Sequence, residues 1–283
     1  MLAVAVVFIL LVHLSANDLE YSRYNLEWNG TSIVRGVLDG HGASVLVDSD
    51  DLLSCSDTLL LMIAPTTSAG DGEVNDIRAF LYGNNTLFIA DDSGISNSLL
   101  AGIGSKMRIA PGNITGLDTA YRDPSFPKGY QATDHPLVRG IEWVAFNRPA
   151  QVLDGEPLLS SGLFSWYDLD GNALMDPGEP SGTFVFIARE DVGGGEVIVC
   201  ADPSIFINAM QKHTAPEGNR AFVENLVSLK QNVLVSGDNS ATERTSAFGS
   251  GFVALKCSPY LQAAVLCAVL AAAALVWTRK IAR

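Results

Sequence analysis

Apolar residues follow two patterns along the first half of the chain, and together these patterns predict alternating strands and helices. Short continuous apolar runs are typical of strands that are buried on both faces of a parallel sheet, and between them lie segments with apolar residues at helical spacing. The predicted strands are 43–47, 58–64, 86–90 and 107–110, and the predicted helices are 31–38, 71–81 and 98–103. This β-α-β-α-β order predicts a doubly wound sheet.

The second half of the chain is less regular up to about residue 157 and then returns to recognisable elements. Two strand-like runs at 183–188 and 196–201 are joined by three glycines at 193–195, which predicts a hairpin. An amphipathic helix at 219–229 closes the domain. The polar, glycine-containing stretch that follows is interpreted as a stalk.

The C-terminal part of the chain contains an apolar run that predicts membrane insertion. With Tyr260, residues 261–277 are about as long as the roughly 20 residues that a helix needs to cross a bilayer core. Tyr260 and Trp277 flank the run, as aromatic residues do at membrane interfaces, and basic residues follow it, as is typical of the cytoplasmic side. We therefore expect a transmembrane helix at 260–278, a cytoplasmic tail at 279–283 and an extracytoplasmic location for the residues before them.

The N-terminal segment 1–16 also agrees with export. Its apolar stretch resembles the core of a signal peptide, although no basic residue precedes that stretch, so it is either a cleaved signal peptide or an uncleaved signal anchor. Between the two ends we expect one α/β domain at 17–235 and a polar stalk at 236–259. Three N-x-[S/T] triplets, which are candidate glycosylation sites in an exported protein, begin at Asn29, Asn84 and Asn113.

Composition narrows the choice of partners. The formal net charge is −13, and an acidic surface repels nucleic acid phosphates, so nucleic acid is not expected as a partner. The four cysteines form no C-x-x-C pair, which argues against a zinc knuckle or a thioredoxin-like site. Cys55 and Cys200 either pair in an oxidising compartment or are small buried hydrophobic residues, and the second interpretation is favoured for Cys200.

Several runs resemble those of a known family. They are EYSRYN at 20–25, WNGTS at 28–32, and the later runs TLLLMIAP, TLFIADD, DLDGNALMDPGEPSG and VIVCADPSIFIN. These runs are similar to a family of archaeal membrane proteins known as domain of unknown function 4350, and the resemblance covers most of the chain. It implies a flavodoxin-like, mostly parallel sheet similar to that of the class I glutamine amidotransferases. It implies no activity, because the family is uncharacterised.

Amidotransferase chemistry is not expected from the residues at the relevant turn. Those enzymes place a nucleophilic cysteine on a sharp strand-to-helix turn, whereas the turn after strand 86–90 reads Asp91-Asp92-Ser93-Gly94. Ser93 would need a histidine partner, and no surrounding motif marks one. The candidate histidines are His41, His135 and His213. We expect a protein without catalytic activity, and the alternative is an exported hydrolase that uses Ser93 or the Asp91/Asp92 pair.

Polar residues after two predicted strands form a candidate ligand pocket. They are Asp91, Asp92 and Ser93 after strand 86–90, and Asp202, Ser204 and Asn208 after strand 196–201. Ligands bind outside the carboxyl ends of strands in open α/β sheets, so a cation or an unidentified small molecule is one interpretation. The alternative is helix capping, which suits Asp and Ser and explains Asp202 and Ser204 at least as well.

The segment 168–179 predicts a calcium site. If Asp168 is position 1, oxygen-bearing side chains fall at positions 1, 3, 5, 9 and 12, with a backbone carbonyl at position 7, as in EF-hand loops. The ligands would be Asp168, Asp170, Asn172, Leu174, Asp176 and Glu179. Ala173 stands at position 6, where such loops have glycine, and strands are expected on both sides. The alternative is an acidic turn without metal; calcium with a structural role is favoured because five offsets match at once.

These features lead us to expect a membrane-anchored, extracytoplasmic binding or scaffold module with a structural calcium ion. Such a module would serve other subunits of a membrane complex, and a transport complex is suggested by analogy alone.

Overall fold

The computed structural model describes residues 18–46, 49–212, 217–237, 239–244 and Tyr260. Residues Asp18–Arg244 form one compact unit, and the other unit comprises Met1–Asn17 and Thr245–Arg283. Three predicted segments lie outside the described residues. They are the signal segment, the cytoplasmic tail and, apart from Tyr260, the transmembrane helix. Among the helices that are described, none is long and apolar enough to cross a membrane.

The strands and helices of the compact unit are numbered in chain order. The strands are β1 (Ser44–Leu46), β2 (Thr58–Ile63), β3 (Thr86–Ala90), β4 (Arg108–Ala110), β5 (Asn113–Gly116), β6 (Lys128–Gln131), β7 (Trp143–Ala145), β8 (Gln151–Leu153), β9 (Glu156–Ser161), β10 (Ser165–Asp168), β11 (Ser181–Gly182), β12 (Val185–Val192), β13 (Gly195–Cys200) and β14 (Asn232–Ser236). The helices are α1 (Ser32–Gly40), α2 (Asp71–Tyr82), α3 (Asn97–Ile103), α4 (Asn208–Gln211) and α5 (Glu217–Val227). Short 3₁₀ helices lie at Ser49–Ser54, Pro136–Val138, Pro203–Phe206 and Ala241–Glu243.

A nine-stranded sheet in the order β1-β14-β2-β3-β13-β12-β9-β6-β7 forms the centre of the unit. The first five strands in this order are parallel to one another, and the other four extend the sheet with antiparallel pairings. The predicted α/β class with a large, mostly parallel central sheet is thus confirmed. The hairpin of β12 and β13 is also confirmed, and it turns at Gly193 and Gly194, whose φ angles of +63° and +95° favour glycine.

One predicted strand does not belong to the central sheet. The run at 107–110 forms β4, which pairs with β8 in a separate two-stranded sheet. A further three-stranded sheet has the order β11-β10-β5 and carries the candidate calcium segment. Apolar runs predict that a strand is buried, but its partner depends on contacts that are distant in sequence.

Helices cover both faces of the parallel part of the sheet. Residues of β2 alternate between two core clusters: Leu59, Leu61 and Ile63 belong to one and Leu60 and Met62 to the other. Buried residues of α1 and α5 pack in the first cluster, and buried residues of α2 and α3 pack in the second. This double covering explains why all six residues of β2 are buried and why the five that follow Thr58 are apolar.

The predicted boundary between domain and stalk at residue 236 is wrong. Ser236 is the last residue of β14, and residues 239–242 are buried in the compact unit, which reaches Arg244. The hydroxyl of Ser240 donates to the carbonyl of Ile63 at 3.0 Å, and the carbonyl of Thr242 accepts from the N–H of Arg23 at 2.9 Å. These polar residues resemble a stalk in composition, but their side chains and backbone are satisfied inside the fold.

Cys55 and Cys200 do not form a disulfide. Both are free thiols: Cys55 precedes the amino end of β2, whereas Cys200 ends β13, which runs in the same direction as β2. Cys200 is fully buried, so it acts as a small hydrophobic residue, and burial raises the pKa of its thiol well above the ordinary value.

Candidate functional site

The candidate metal loop connects β10 to β11. Asp168 ends β10, and the chain turns back so that Ser181 pairs with Trp166. Strands therefore flank the loop on both sides, as expected from the sequence. Asp168 is buried, Glu179 is half-buried and Asp170 is exposed, so the three carboxylates lead from the protein interior to its surface.

Three carboxylates converge in this loop. One carboxylate oxygen from each of Asp168, Asp170 and Glu179 lies within 4.8 Å of the others. Calcium–oxygen distances are about 2.3–2.6 Å, so two ligands of one calcium ion are at most about 5 Å apart. The spacing therefore fits a single ion bound by all three groups, and a cation would offset the repulsion between like charges.

The first and last carboxylates of the loop are held by backbone N–H groups. Asp168 accepts from Gly171 N at 2.8 Å through Oδ1 and from Ala173 N at 3.0 Å through Oδ2. Glu179 accepts from Leu169 N at 2.8 Å through Oε1 and from Asp176 N at 3.0 Å through Oε2. Because a carboxylate offers about four acceptor positions, these bonds fix the side chains and leave lone pairs for a metal ion.

Asn172 links Asp176 to Asp170 by hydrogen bonds from its side-chain amide. The amide Nδ2 of Asn172 donates to Asp170 Oδ2 at 2.9 Å and to Asp176 Oδ2 at 2.7 Å, while its Oδ1 accepts from Leu174 N at 2.6 Å. An amide NH₂ group thus lies between two carboxylates. For Asn172 to supply Oδ1 as a ligand, as the sequence predicts, its amide has to rotate toward the ion.

Ala173 adopts the backbone conformation that position 6 of the loop requires. Its φ angle is +60°, in the left-handed region, and its N–H donates to Asp168. A left-handed conformation costs an L-residue other than glycine about 1–2 kcal/mol. The substitution of alanine for the expected glycine therefore strains the turn without removing it.

Asp91 organises the turn between β3 and α3. Its Oδ1 accepts from Ser93 N at 2.8 Å, Ser93 Oγ at 2.6 Å and Gly94 N at 3.2 Å, and its Oδ2 accepts from Ser96 N at 2.8 Å. The neighbouring Asp92 is half-buried, and its pKa is raised by burial and then by the carboxylate of Asp91. These bonds hold the backbone of the turn, whereas the N-cap residue of α3 is Ser96.

Asp202 caps the 3₁₀ helix at Pro203–Phe206. Its Oδ1 accepts from Ser204 N at 2.7 Å and its Oδ2 from Asn147 N at 2.6 Å. Asp202 is fully buried, and this burial raises its pKa to about 7 even though both N–H groups favour the charged form. These contacts match the capping interpretation for Asp202.

Residues 18–31 contact the segment that follows the carboxyl end of β13. Tyr21 contacts Ser204 through its hydroxyl at 3.3 Å, and burial raises the pKa of this phenol. Asn208 donates from Nδ2 to the carbonyls of Asn25 and Glu27, and its Oδ1 accepts from Ile33 N at 3.0 Å. The sequence did not identify these contacts, because nothing marked residues 18–31 as partners of this segment. Ligand binding by this group of residues stays a prediction.

The described histidines do not bond to Ser93. His41 bonds to the carbonyl of Val37, whereas His135 contacts Glu196 at 3.2 Å and accepts from Leu137 N. Glu196 pairs in register with Thr86, the first residue of β3, while Ser93 follows the opposite end of that strand. His213 lies outside the described residues. The contacts of Ser93 thus give the hydrolase alternative no support.

The three candidate glycosylation residues lie in different surroundings. Asn84 is exposed, but Thr86 of the same triplet is buried in β3. Asn113 begins β5 and is half-buried, and Asn29 accepts from Asn25 Nδ2 at 2.9 Å. Glycosylation stays a prediction at each position.

Apolar side chains beside the metal loop were missed by the sequence analysis. We define the apolar patch as five exposed residues that line one shallow cavity of about 250 Å³. They are Leu117, Leu163, Phe164, Leu174 and Met175. The sequence does contain one indication of this patch. Large apolar residues stand at positions where a turn is expected, as Leu163 and Phe164 do directly after Gly162.

These features define the chain as an α/β domain with a mixed central sheet and a carboxylate loop on a small accessory sheet. Residues 23–227 match the family described as Domain of unknown function (DUF4350), and the chain belongs to this family. No curated protein matches the sequence significantly.

Solved structures with some similarity share little sequence with this chain. The mmIFT52 N-terminal domain is 14% identical, with 63% of this chain and 78% of that chain covered and a TM-score of 0.46. The cytoplasmic protein STM1381 from Salmonella typhimurium LT2 is 12% identical, with 71% and 87% covered and a TM-score of 0.41. The exo-beta-1,4-mannosidase Op5Man5 from Opitutaceae bacterium strain TAV5 is 11% identical, with 53% and 21% covered and a TM-score of 0.28. At these TM-scores the similarities carry no argument about function.

Proposed function

We propose that the protein is a membrane-anchored, extracytoplasmic binding or scaffold module in which one calcium ion fixes the loop between β10 and β11. The observation that carries this proposal is the convergence of Asp168, Asp170 and Glu179 in a loop with EF-hand spacing. The oxygen-only ligand set, with a backbone carbonyl at position 7, favours calcium. Zinc is disfavoured, because it prefers thiolate and imidazole ligands.

The position of the loop supports a structural role for calcium. The loop joins two strands of a small sheet, and its first ligand, Asp168, is buried while the others approach the surface. A sensor EF-hand responds by moving the helices on either side of its loop, and strands flank this loop instead. An ion at this site stabilises the folded chain because it binds the folded loop more tightly than the unfolded one.

The membrane anchor and the non-catalytic role are supported by different observations. The apolar run at 260–278 with its basic flank supports the anchor, as in the archaeal proteins that the sequence resembles. The side chains of Asp91 and Asp202 bond to nearby or neighbouring backbone N–H groups, and this structural use supports the non-catalytic role. Subunits of a membrane complex are the partners that this arrangement would serve.

A flavodoxin-like, amidotransferase-like relationship is also part of the proposal. Parallel strands with helices on both faces support it. The antiparallel extension from β12 to β7 and the two small sheets are additions to such a core.

Thermal unfolding of the full chain in mild detergent tests the proposal. About 10 mM calcium is roughly 10–100 times the dissociation constant of a typical extracellular module, which corresponds to about 1.4–2.7 kcal/mol of stabilisation. For a domain of this size we expect the Tm to rise by about 3–10 °C over the value in EGTA. Circular dichroism at one protein concentration measures the shift.

Matched variants separate ion binding from a general charge effect. Asp168→Asn with Glu179→Gln should lose the shift, because it removes two ligands. Asp154→Asn with Glu142→Gln changes the charge equally at exposed positions outside the loop and should keep the shift. An unchanged Tm in the parent chain, or the same shift in both double variants, would refute the site.

A further inference from the structure

The apolar patch brings together side chains from three separate turns. Leu117, Leu163 and Phe164 are 72%, 71% and 68% exposed, and the carbonyl of Phe164 accepts from Leu117 N at 3.0 Å. Leu174 and Met175, which are 65% and 60% exposed, come from the metal loop and line the same cavity. Contiguous exposed apolar surface on a folded domain marks an interaction site more often than scattered single residues do.

The metal loop forms one wall of this patch. Ala173 and Leu174 donate their N–H groups to Asp168 Oδ2 and Asn172 Oδ1, so these two acceptor side chains turn inward to the backbone of the loop. The neighbouring side chains of Leu174 and Met175 turn outward to the cavity. An ion that fixes the inward residues therefore also fixes the outward apolar wall.

The short connection to the predicted membrane run keeps the apolar patch close to the bilayer. Fifteen residues, 245–259, separate the compact unit from the predicted membrane run. In any conformation they span at most about 50 Å. A unit of this length has a radius of gyration of about 17 Å and hence a diameter of about 45 Å. The short connection therefore gives the surface of the domain a high effective concentration of lipid.

The charge of the loop explains why docking would need calcium. The loop that supplies Leu174 and Met175 to the patch also carries four carboxylates, and moving them toward an apolar interface without a counter-ion is strongly unfavourable. They are Asp168, Asp170, Asp176 and Glu179. A calcium ion offsets two of the four charges and leaves the loop negative, so lipids with neutral head groups suit the surface better than anionic lipids.

We propose that the apolar patch inserts into the neutral surface of the bilayer that anchors the chain, and that calcium in the 168–179 loop is required for this insertion. The proposal rests on the proposed anchor and calcium site and adds an orientation: the accessory sheet faces the membrane. Leucine, phenylalanine and methionine are the side chains that bury at the boundary between head groups and acyl chains.

Photo-crosslinking of the full chain in phosphatidylcholine vesicles tests the proposal. A fraction of the phosphatidylcholine carries a diazirine in its acyl chain, and lipid adducts are mapped by mass spectrometry with about 1 mM calcium or with EGTA. We expect adducts in 261–277 under both conditions. We expect adducts at 163–164 and 174–175 in calcium and their loss in EGTA.

Variants of the patch and of the loop sharpen the result. Leu163→Ser with Phe164→Ser should remove the adducts at 174–175, whereas Leu26→Ser, at a residue that is 68% exposed elsewhere, should leave them unchanged. Asp168→Asn with Glu179→Gln should remove them in calcium, and Asp154→Asn with Glu142→Gln should not.

Each outcome separates docking from anchoring. Adducts in 261–277 with none at the patch would overturn the docking and leave the anchor intact. Patch adducts that persist in EGTA would overturn the calcium requirement. Patch adducts without any in 261–277 would support docking and refute the anchor, and adducts in neither region would refute both.

Discussion

Replacement of Ala173 by glycine tests the strain in the metal loop. At φ +60° an alanine is disfavoured by about 1–2 kcal/mol relative to glycine. Glycine in turn gains about 0.4–1 kcal/mol of conformational freedom in the unfolded chain, which opposes the gain. The net expectation is that Ala173→Gly raises the free energy of unfolding by about 0.5–1 kcal/mol, which raises the Tm by about 1–4 °C.

The hydrogen bond from Ala173 N to Asp168 predicts where this gain will be seen. Because the turn is held by the protein's own contacts, the stabilisation should be present in EGTA as well as in calcium. Chemical denaturation of the full chain followed by circular dichroism measures both conditions. The control is Ala79→Gly, at an exposed position inside α2, which should destabilise by about 1 kcal/mol because its backbone is helical. A gain that appears only in calcium would show that the ion, and not the protein, shapes the loop, and a loss would refute the strain argument.

Two further predictions concern the carboxyl end of the sheet. Burial raises the pKa of Asp202 from 3.8 to about 7, so the folded chain binds the proton of this carboxyl more tightly than the unfolded chain does. The resulting stabilisation is complete below about pH 4 and is lost as the pH rises through 7, and it amounts to at most about 4 kcal/mol. Urea denaturation between pH 5 and pH 8 should show this loss in the parent chain and less of it in Asp202→Asn; equal pH dependence in both would refute the assignment. Asn208→Ala should lower the free energy of unfolding by about 2–4 kcal/mol, because it removes the amide donor of the buried Asn25 carbonyl and the acceptor of the Ile33 N–H. A thermal melt measures this change, and an unchanged Tm would contradict the stabilising role of the Asn208 amide.

Local signals in the sequence predicted most of the parallel core. The run at 59–64 is apolar throughout because β2 is covered on both faces. The spacing of Ile77, Phe80 and Leu81 in α2 matches the face that packs in the second core cluster. Consecutive glycines also predicted the hairpin turn, because Gly193 and Gly194 adopt left-handed backbone conformations that favour glycine. Such features depend on neighbours that are close in sequence.

Other features depend on contacts between distant residues and gave no local signal. The polar residues 239–242 bond to Ile63 and Arg23, which are far away along the chain, so their burial could not be inferred from composition. The pairing of β4 with β8 likewise needed knowledge of the tertiary register.

Spacing predicted the candidate metal residues, but not all of their contacts. The offsets of Asp168, Asp170 and Glu179 were sufficient to expect that they converge. The orientation of Asn172 and the apolar patch outside the loop follow from hydrogen bonds that the spacing does not specify.

Isothermal titration calorimetry of the full chain with calcium tests the central claim most directly. The account predicts binding of one ion per chain with a dissociation constant on the order of 10⁻⁴ to 10⁻³ M. It also predicts that Asp168→Asn with Glu179→Gln abolishes this binding, while Asp154→Asn with Glu142→Gln retains it. Absence of binding by the parent chain, or equal binding by both double variants, would contradict the account.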